Sequence, residues 1–415
     1  MKKTKIFYNL LILLFITSCA ENKQVISYLP VKETTDTYDL DGNEMMVIKN
    51  IKMNSKKFVN TITNDTVNII HHLDKTGFHF YNAVAFSNEK KGVIVGGAGL
   101  RIRTTTDGGL HWQENRFSKF GNALHSVAVK NDTIFVVGEN KNIYRSTNFG
   151  KQWEVFDTDV LVNQLLNPKE TKTIRKYNPR YYKIKFYKHT GIVVGDYDKV
   201  RKAKPIFIKT ENNGETWDIL KIKGIKTYET GISDIVLLSD KIFLIVTLQG
   251  SCYKTIDGGK NWKLLFNNKK TSLNSIDFIN ENEGFIAGKS SALFYTKDGG
   301  KNWNKINLFT KENGVIYQKK FAGNIKRVSP NKQAINISNI KFVNDKLALI
   351  TLANNTQEFE KDFVYKINPV TKTIQSVLHK KDTTITFKGN AYGLFLLKNN
   401  LYVLDSNNLY KIHTD

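Results

Sequence analysis

Every tryptophan in this 415-residue chain lies in one short repeated box. Each box has Ser or Thr, any residue, Asp or Asn, any residue, Gly, two further residues and Trp. The five copies are TTDGGLHW at 105–112, STNFGKQW at 146–153, TENNGETW at 210–217, TIDGGKNW at 255–262 and TKDGGKNW at 296–303. Their glycines are 41, 64, 45 and 41 residues apart, which is the length of a β-propeller blade with one insertion. The chain is therefore predicted to form a ring of repeated units.

The chemistry of the box is conformational. An Asp or Asn side chain can accept a backbone N–H two residues on and close a turn, while the following Gly takes a positive φ without a Cβ clash. The Trp begins the next strand and can fold back over the hairpin. A structural role is favoured over a catalytic one for the box residues Asp107, Gly109, Trp112, Asn148, Gly150, Trp153, Asn212, Gly214, Trp217, Asp257, Gly259, Trp262, Asp298, Gly300 and Trp303.

Short alternating segments surround the boxes and predict an all-β fold, a β-propeller of four-stranded blades. NSIDFI, EGFIAG and ALFYTK precede the fifth box and WNKINL follows it, so the box lies between strands three and four. Five boxes mark five blades, and the segments from SNIKFV to TIQSVL add a sixth blade without a box. GLFLLK, NLYVL and NLYKI supply three strands of a seventh blade. A segment near 66–71 can complete it and protect the sheet edges. We expect seven blades, with six and eight as the alternatives.

The N-terminus has the features of an export signal. Lys2, Lys3 and Lys5 precede an apolar run at 6–16 that is too short to span a bilayer. Ile16 three positions before Cys19, followed by small residues, resembles a bacterial lipoprotein signal. The resemblance implies removal of residues 1–18, lipid on Cys19 and a lipid-anchored place in the cell envelope, in the outer membrane of a Gram-negative bacterium. An ordinary signal peptide is the alternative.

The domain organisation follows from that signal. Residues 19–62 are polar and are expected to form a tether, and residues 63–415 are expected to form the propeller. The other cysteine, Cys252, lies between strand-like residues and is expected to pack in the core.

The positive charge of the chain is large and uneven. There are 62 Lys and Arg against 38 Asp and Glu, a net charge of +24. A lysine-rich codon bias is one explanation, and a surface that attracts an anionic partner is the other. Residues 169–209 have 13 basic and three acidic side chains, and residues 309–332 have six and one. Codon bias would distribute the charge more evenly than this.

The strand order of a blade predicts where these basic residues lie. The insertions 158–180 and 309–336, and the loop at 196–205, belong to the face away from the boxes. Aromatic residues are interleaved there, a mixture suited to stacking and charge recognition. The candidate binding residues are Arg175, Lys176, Arg180, Tyr181, Tyr182, Lys199, Arg201, Lys202, Lys204, Lys319, Lys320 and Arg327. A solvated basic face without a ligand is the alternative interpretation.

The partner expected from this surface is a protein, an acidic glycan or a lipid headgroup. The lipid on Cys19 is expected to hold the chain to the membrane. Nucleic acid would fit the charge but not an exported location. The chain lacks a phosphate-binding Gly loop, a nucleophile elbow, an HExxH motif and cysteine or histidine spacing typical of a metal site. The sequence therefore predicts no cofactor, no metal and no catalytic residue.

The boxes resemble the BNR or Asp-box repeats of sialidases, over about residues 80–308. That resemblance implies an arginine triad for a substrate carboxylate, a tyrosine and glutamate nucleophilic pair, and an acid/base aspartate. Only Leu100-Arg101-Ile102-Arg103 partly matches the expected Arg-Ile-Pro signature, and the chain has eight arginines in all. A sialidase-like glycoside hydrolase is therefore the second hypothesis.

The form Asp-Gly-Gly, two residues and Trp is most similar to the photosystem II stability and assembly factor family, which is also built on β-propellers. That resemblance implies a non-catalytic propeller, exported or membrane-associated, that holds another protein during assembly. The family's basic residue just before the box is present as Arg145, Lys209 and Lys254, but Thr104 and Tyr295 stand there in the first and fifth boxes. A non-enzymatic binding or assembly scaffold is the leading hypothesis.

Overall fold

The structure is a computed structural model that describes most of the propeller. The described residues are 25–27, 35–37, 47–59, 66–72, 81–97, 100–117, 122–139, 141–164, 179–197, 204–226, 231–307, 318–321, 324–327, 336–353, 364–371, 374–376, 393–398, 400–404 and 408–413. Four strands precede the first blade, namely β1 (Val25–Ser27), β2 (Thr35–Thr37), β3 (Val47–Val59) and β4 (Thr66–His72). These four strands are described by their backbone alone.

Blades 1 to 3 are antiparallel meanders of four strands each. Blades 2 and 3 are separate sheets, whereas blade 1 is joined through β3 to the last blade in one 11-stranded sheet. The strands of blade 1 are β5 (Tyr81–Phe86), β6 (Gly92–Gly96), β7 (Arg101–Thr105) and β8 (His111–Arg116). Those of blade 2 are β9 (Leu124–Lys130), β10 (Thr133–Gly138), β11 (Asn142–Ser146) and β12 (Glu154–Asp157), followed by the short helix α1 (Asp159–Asn163). Those of blade 3 are β13 (Arg180–Tyr187), β14 (Thr190–Tyr197), β15 (Lys204–Thr210) and β16 (Asp218–Ile219).

Blades 4 to 6 repeat the same meander. Blade 4 contains β17 (Ile232–Leu237), β18 (Phe243–Thr247), β19 (Ser251–Thr255) and β20 (Lys263–Asn267). Blade 5 contains β21 (Leu273–Phe278), β22 (Gly284–Gly288), β23 (Leu293–Thr296) and β24 (Asn304–Lys305), and the hairpin β25 (Gln318–Phe321) and β26 (Asn324–Arg327) follows it. Blade 6 contains β27 (Asn336–Asn344), β28 (Leu347–Ala353), β29 (Val364–Ile367) and β30 (Ile374–Ser376).

Blade 7 combines both ends of the chain. Its C-terminal strands are β31 (Gly393–Leu397), β32 (Asn400–Leu404) and β33 (Asn408–His413), and β4 pairs with β33 as the fourth strand, with Ile70 opposite Leu409. The first strands of the seven blades contact one another in a closed ring around a central channel. The predicted seven blades, and closure by the segment near 66–71, are confirmed.

The segment expected to be a tether contains paired strands. β3 pairs with β4 of blade 7 on one side and with β8 of blade 1 on the other, and β1 and β2 pair with β3. Because β3 pairs with the backbone of the outer strands of two blades, the sheet begins before the predicted boundary at residue 62. The insertion after blade 2 contains α1, which at five residues is too short to cross a bilayer, and no other part of the described chain forms a helix that could.

The hydrophobic core lies between neighbouring blades, and the box tryptophans are part of it. Trp112 is 1% exposed and packs with Tyr402 of blade 7. Trp217 meets Phe135 of the preceding blade edge-on at 6.1 Å, and the remaining three follow the same rule. Each tryptophan therefore joins its own blade to the one before it. Burying an aromatic ring of this size contributes about 2–3 kcal/mol.

The five boxes share one hydrogen-bond arrangement. The box Gly N–H donates to the Ser or Thr hydroxyl four residues back, as from Gly109 to Thr105 Oγ1 at 2.9 Å. The Asp or Asn oxygen instead accepts the N–H four residues on, as from His111 to Asp107 Oδ1 at 3.0 Å. The predicted bond two residues on was wrong, because that N–H belongs to the Gly already bound by the hydroxyl. The predicted positive φ of the box Gly is confirmed, at +79° to +97°.

A second set of bonds fixes which loops share a face with the boxes. The residue before each box Gly donates its N–H to a carbonyl in the hairpin between strands one and two of its blade, as from Gly108 to Lys90 at 2.8 Å. Boxes and these hairpins therefore form one face. The loops between strands two and three and the connections between blades lie on the other face, as the sequence predicts.

Candidate binding site at the central channel

The inner strands of six blades carry a β-bulge at the same place. The register shifts by one residue near the start of each of these strands. The bulge residues are all polar or aromatic, namely Asn82, His125, Tyr182, Ser233, Asn274 and Ser338. A bulge leaves the extra residue unpaired and re-aims its side chain. These residues form a ring at the end of the channel opposite the boxes, which we call the channel mouth.

Four bulge residues join neighbouring blades. Asn82 Nδ2 donates to the carbonyl of Leu124 at 2.7 Å, and Ser233 Oγ donates to that of Leu273 at 2.6 Å. Asn274 does the same to Ile337, and the Nδ1 of His125 lies 3.1 Å from the Tyr181 carbonyl. These bonds satisfy backbone carbonyls that the bulges leave outside the sheets.

The positions one and three residues after the bulge supply acceptors for the next blade. Ser126 Oγ accepts the N–H of Ile184 at 3.2 Å, and Asp234 Oδ2 accepts that of Ile276 at 3.2 Å. Ser275 accepts the N–H of Ile340. These side chains therefore point toward the next blade along the channel wall.

Asp277 is the fourth acceptor and also forms an ion pair. Its carboxylate accepts hydrogen bonds from the N–H of Phe342 at 2.8 Å and from Lys341 Nζ at 2.7 Å. Burial works to lower the pKa of Lys341, but the Asp277 carboxylate outweighs it and the pKa is raised. Lys341 therefore stays protonated in the channel wall.

Blade 3 has a lysine at each of the two positions where blade 5 has the acceptors Ser275 and Asp277. Lys183 and Lys185 stand one and three residues after the bulge residue Tyr182. Among the described residues neither side chain forms a hydrogen bond or an ion pair. Desolvation between the channel walls lowers the pKa of Lys185, against the opposing pull of the Asp234 carboxylate. Because solvent still reaches this side chain, Lys185 projects into the channel rather than into the core.

The mouth at blades 2 and 3 combines an aromatic stack with fixed charges. The rings of His125 and Tyr182 stack with centroids 5.8 Å apart, and Tyr182 donates its hydroxyl to Asp196 at 2.9 Å. Burial, and then the Asp196 carboxylate, raise the pKa of Tyr182. Arg180 Nε lies 3.7 Å from Asp196, and its side chain is 42% exposed. Burial lowers the pKa of His125, although Glu139 at 3.8 Å opposes that shift. The histidine is therefore neutral near pH 7.

The structure brings only part of the predicted binding set together. Arg180 and Tyr182 lie at the mouth, and Lys204 begins β15 on the same face, opposite Tyr197. Tyr181 was wrongly assigned to the binding set, because its ring is fully buried between blades and its hydroxyl bonds Thr158. Lys319, Lys320 and Arg327 are described by their backbone, in the hairpin β25–β26. Arg175, Lys176, Lys199, Arg201 and Lys202 lie outside the described residues.

The basic residues just before the boxes are engaged in packing. Arg145 pairs with Glu154 at 3.2 Å and is 15% exposed. The Nζ atoms of Lys209 and Lys254 lie beneath Gly258 and Gly299 of the next blade, 2.8 and 3.3 Å from where a Cβ would stand. In this chain these positions therefore support the next box.

Arg101, the residue on which a sialidase site would depend, is also engaged. It lies on β7 and bonds Glu114 at 3.3 Å, and the buried Arg103 bonds the same carboxylate at 2.7 Å. β7 and β8 are the two outer strands of blade 1. Within the described residues, the side chains of Arg101, Arg103, Arg145 and Arg180 do not converge on one point at the axis.

The described residues contain no group of three or more His, Cys, Asp or Glu placed to hold a metal ion. Cys252 is buried, and burial raises the pKa of its thiol. Its environment is that of a core residue.

Sequence reasoning missed the channel residues, although a signal for them exists. Aligned at the bulge, the inner strands read YNAVAF, LHSVAV, YYKIKF, ISDIVL, LNSIDF and ISNIKF. The second position is polar or aromatic in all six, and the third and fifth positions carry the acceptors and the lysines. Alignment of these strands, rather than of the boxes, would have found the site.

The stretches that match known proteins contain blades with boxes. The model of the photosynthesis system II assembly factor YCF48 family matches residues 71–165 and 264–339, which contain blades 1, 2 and 5. The photosystem II stability/assembly factor HCF136 of Guillardia theta, a chloroplast protein, is 39% identical over 71 residues. That stretch is 17% of this chain and 18% of the relative, so the chain matches less than a fifth of that protein's length.

Solved structures show the same architecture. The structure described as YCF48 bound to D1 peptide has a TM-score of 0.57 at 14% identity, covering 84% of this chain and 97% of that chain. YCF48 from Cyanidioschyzon merolae has a TM-score of 0.54 at 17% identity, covering 82% and 98%. At such identities the likeness is one of fold. The chain is therefore a seven-bladed β-propeller, and two stretches of its sequence match the model of the photosystem II assembly factor family.

Proposed function

We propose that this chain is a non-enzymatic scaffold that holds a segment of a protein partner at the channel mouth while the partner is assembled. The observation that carries the proposal is the exposed Arg180 beside the stacked His125 and Tyr182, on the face where the basic insertions emerge. Flat aromatic rings with a guanidinium at their edge suit a peptide that offers acidic and apolar groups. The solved YCF48 complex, whose ligand is a D1 peptide, supports a protein segment as the ligand class.

The same proposal includes anchoring in the cell envelope through lipid on Cys19, in the outer membrane. A tethered scaffold meets a membrane-bound partner at a high effective concentration, so it needs only modest intrinsic affinity. The engagement of Arg101 and Arg103 by Glu114 and the match to assembly factors favour a scaffold over a sialidase.

A photo-crosslinking experiment tests the scaffold role. The full lipidated chain would carry a photoreactive phenylalanine at Lys204, on the mouth face, or at Ile256, which is 71% exposed on the box face. We expect a discrete protein adduct in native membranes from position 204 and not from position 256. Adducts with glycan or lipid alone, or identical adducts from both positions, would overturn the proposal.

Charge reversal gives a second test. The substitutions Lys199→Glu, Arg201→Glu, Lys202→Glu and Lys204→Glu reverse the charge of the basic loop that the sequence predicts at 196–205. Lys260→Glu, Lys263→Glu, Lys297→Glu and Lys301→Glu make the same charge change at exposed residues of the box half of the blades. Only the first set should abolish the adduct. Retention of the partner by the first set would show that the basic loops do not bind it.

A further inference from the structure

The junction between blades 3 and 4 differs from its neighbours along the channel wall. At the junctions of blades 2 with 3, 4 with 5 and 5 with 6, a Ser or Asp one or three residues after the bulge accepts a backbone N–H of the next blade. Lysine cannot accept a hydrogen bond. Lys183 therefore puts a donor where both adjacent junctions have an acceptor, and Lys185 adds a second donor where blade 5 has Asp277.

The nearby carboxylates form their hydrogen bonds with other groups than these two lysines. Asp234 already accepts from Ser275 Oγ at 3.0 Å, from the N–H of Ile276 and from that of Ile235. Asp277 is occupied by Lys341 and by the N–H of Phe342. Lys183, Lys341, Asp234 and Asp277 all act electrostatically on Lys185, although they come from blades 3 to 6. Lys185 is exposed on β13, the inner strand of blade 3, which places its side chain on the channel side.

Basic side chains outnumber acidic ones in this wall, with Lys183, Lys185 and Lys341 against Asp234 and Asp277. A ligand carboxylate beside Lys183 and Lys185 would gain charge-assisted hydrogen bonds from both ammonium groups.

We propose that Lys183 and Lys185 form a carboxylate-binding site in the wall of the central channel, reached from the channel mouth. The carboxylate is either the free C-terminus of a peptide or an acidic side chain within it. That its source is a peptide rests on the proposed scaffold function; the carboxylate chemistry rests on the channel alone.

Titration calorimetry on the full chain at low ionic strength tests the site with three synthetic octapeptides of Gly and Ser. One ends in a free carboxylate, one is amidated with a central Glu, and one is amidated and neutral. We expect one of the first two to bind and the third not to bind, and the arm that binds identifies the source of the carboxylate. Absence of any preference for a carboxylate overturns the proposal.

Variants assign the binding to the two lysines. Lys185→Met and Lys183→Met should each weaken binding about tenfold or more, as expected for loss of a charge-assisted bond. Lys301→Met, at an exposed box residue, should leave it within twofold. Lys185→Arg keeps the charge and should retain most of the binding, which separates loss of the ammonium from loss of the fold. Equal affinity in the wild type and both Met variants overturns the proposal.

The outcomes separate the two proposals. If carboxylate binding ignores the lysines while position 204 still crosslinks a protein, only the channel site fails. If the lysines bind carboxylate and no protein adduct forms at position 204, the scaffold function fails and the channel site remains.

Discussion

The substitution Gly214→Ala tests whether the box Gly is required by contact between blades. Gly214 has φ +79°, and a Cβ there would lie 2.3 Å from Cε1 of Phe135 in the preceding blade. Phe135 is 1% exposed and stacks on Phe186 at 4.6 Å, so its ring cannot move aside. The matched control is Gly258→Ala, with φ +76°, where the nearest atom to a Cβ is the flexible end of Lys209 at 2.8 Å.

The two variants differ in one contribution to the free energy of unfolding, the contact of the new Cβ with its neighbour. Both place Ala in a left-handed conformation, which costs about 1–2 kcal/mol, and both lose some unfolded-chain entropy, which offsets about 0.4–1 kcal/mol. Gly214→Ala adds overpacking of about 1–3 kcal/mol. The sequence agrees, since Phe149 and Asn213 occupy the position of Gly258 in their boxes with φ +55° and +58°.

Equilibrium unfolding in urea, followed by tryptophan fluorescence, measures the difference. We expect the free energy of unfolding to fall by about 1–5 kcal/mol for Gly214→Ala and by less than about 2 kcal/mol for Gly258→Ala, so that the two variants differ by about 1–3 kcal/mol. Equal losses would mean that the turn conformation alone requires the Gly. The reasoning about inter-blade contact would then be refuted.

Three further predictions concern the buried ion pair, the acid limb and the ring closure. Glu114→Gln removes the carboxylate that pairs with Arg103, which is 2% exposed, and should lower the free energy of unfolding by about 3–5 kcal/mol in the same urea assay. The control Glu154→Gln changes a 58% exposed partner of Arg145 and should lower it by less than about 1 kcal/mol. Similar losses of stability in the two variants would contradict this prediction. The N–H and amide of Asn261 and Asn302 hold the pKa of Asp257 and Asp298 at about 2, below the value near 3.9 of an unfolded chain, so their stabilisation is complete above about pH 4 and is lost as pH falls toward about 2. Asp257→Asn with Asp298→Asn should therefore flatten the acid limb of the urea midpoint, and an unchanged limb would argue against these carboxylates. Deletion of residues 1–72 removes β4 and should expose β33 to limited proteolysis. Deletion of residues 1–60 retains β4 and should leave β33 protected. Equal cleavage of the two variants would show that β4 does not close the ring.

The sequence predicted the repeated fold because its signals are local. A box places Thr, Asp, Gly and Trp within eight residues, and turn chemistry acts over that distance. The alternation of apolar and polar residues predicted the strands of the blades without boxes. Even the closing strand at 66–72 was predicted, because a three-stranded seventh blade leaves an edge that another strand must cover.

The candidate site was predicted only in part because a bulge reverses the period of two. Tyr181 and Tyr182 are adjacent and alike in sequence, yet one is fully buried between blades and the other lies at the channel mouth. A one-residue shift moves the side chains that follow to the opposite side of the strand. Lys183 and Lys185 were counted with the basic residues of the chain, but their register places them in the channel wall.

The sequence by itself therefore predicted seven blades of four strands, the place of each box between strands three and four, and the positive φ of the box Gly. Only the tertiary structure decided which polar side chains meet at the axis. Asp234, Asp277 and Lys341 are about 40 to 110 residues apart from one another, and they share one channel only because the seven blades close into a ring. Turn chemistry acts between neighbouring residues, whereas the channel wall is formed by side chains from separate blades that only the closed ring brings together.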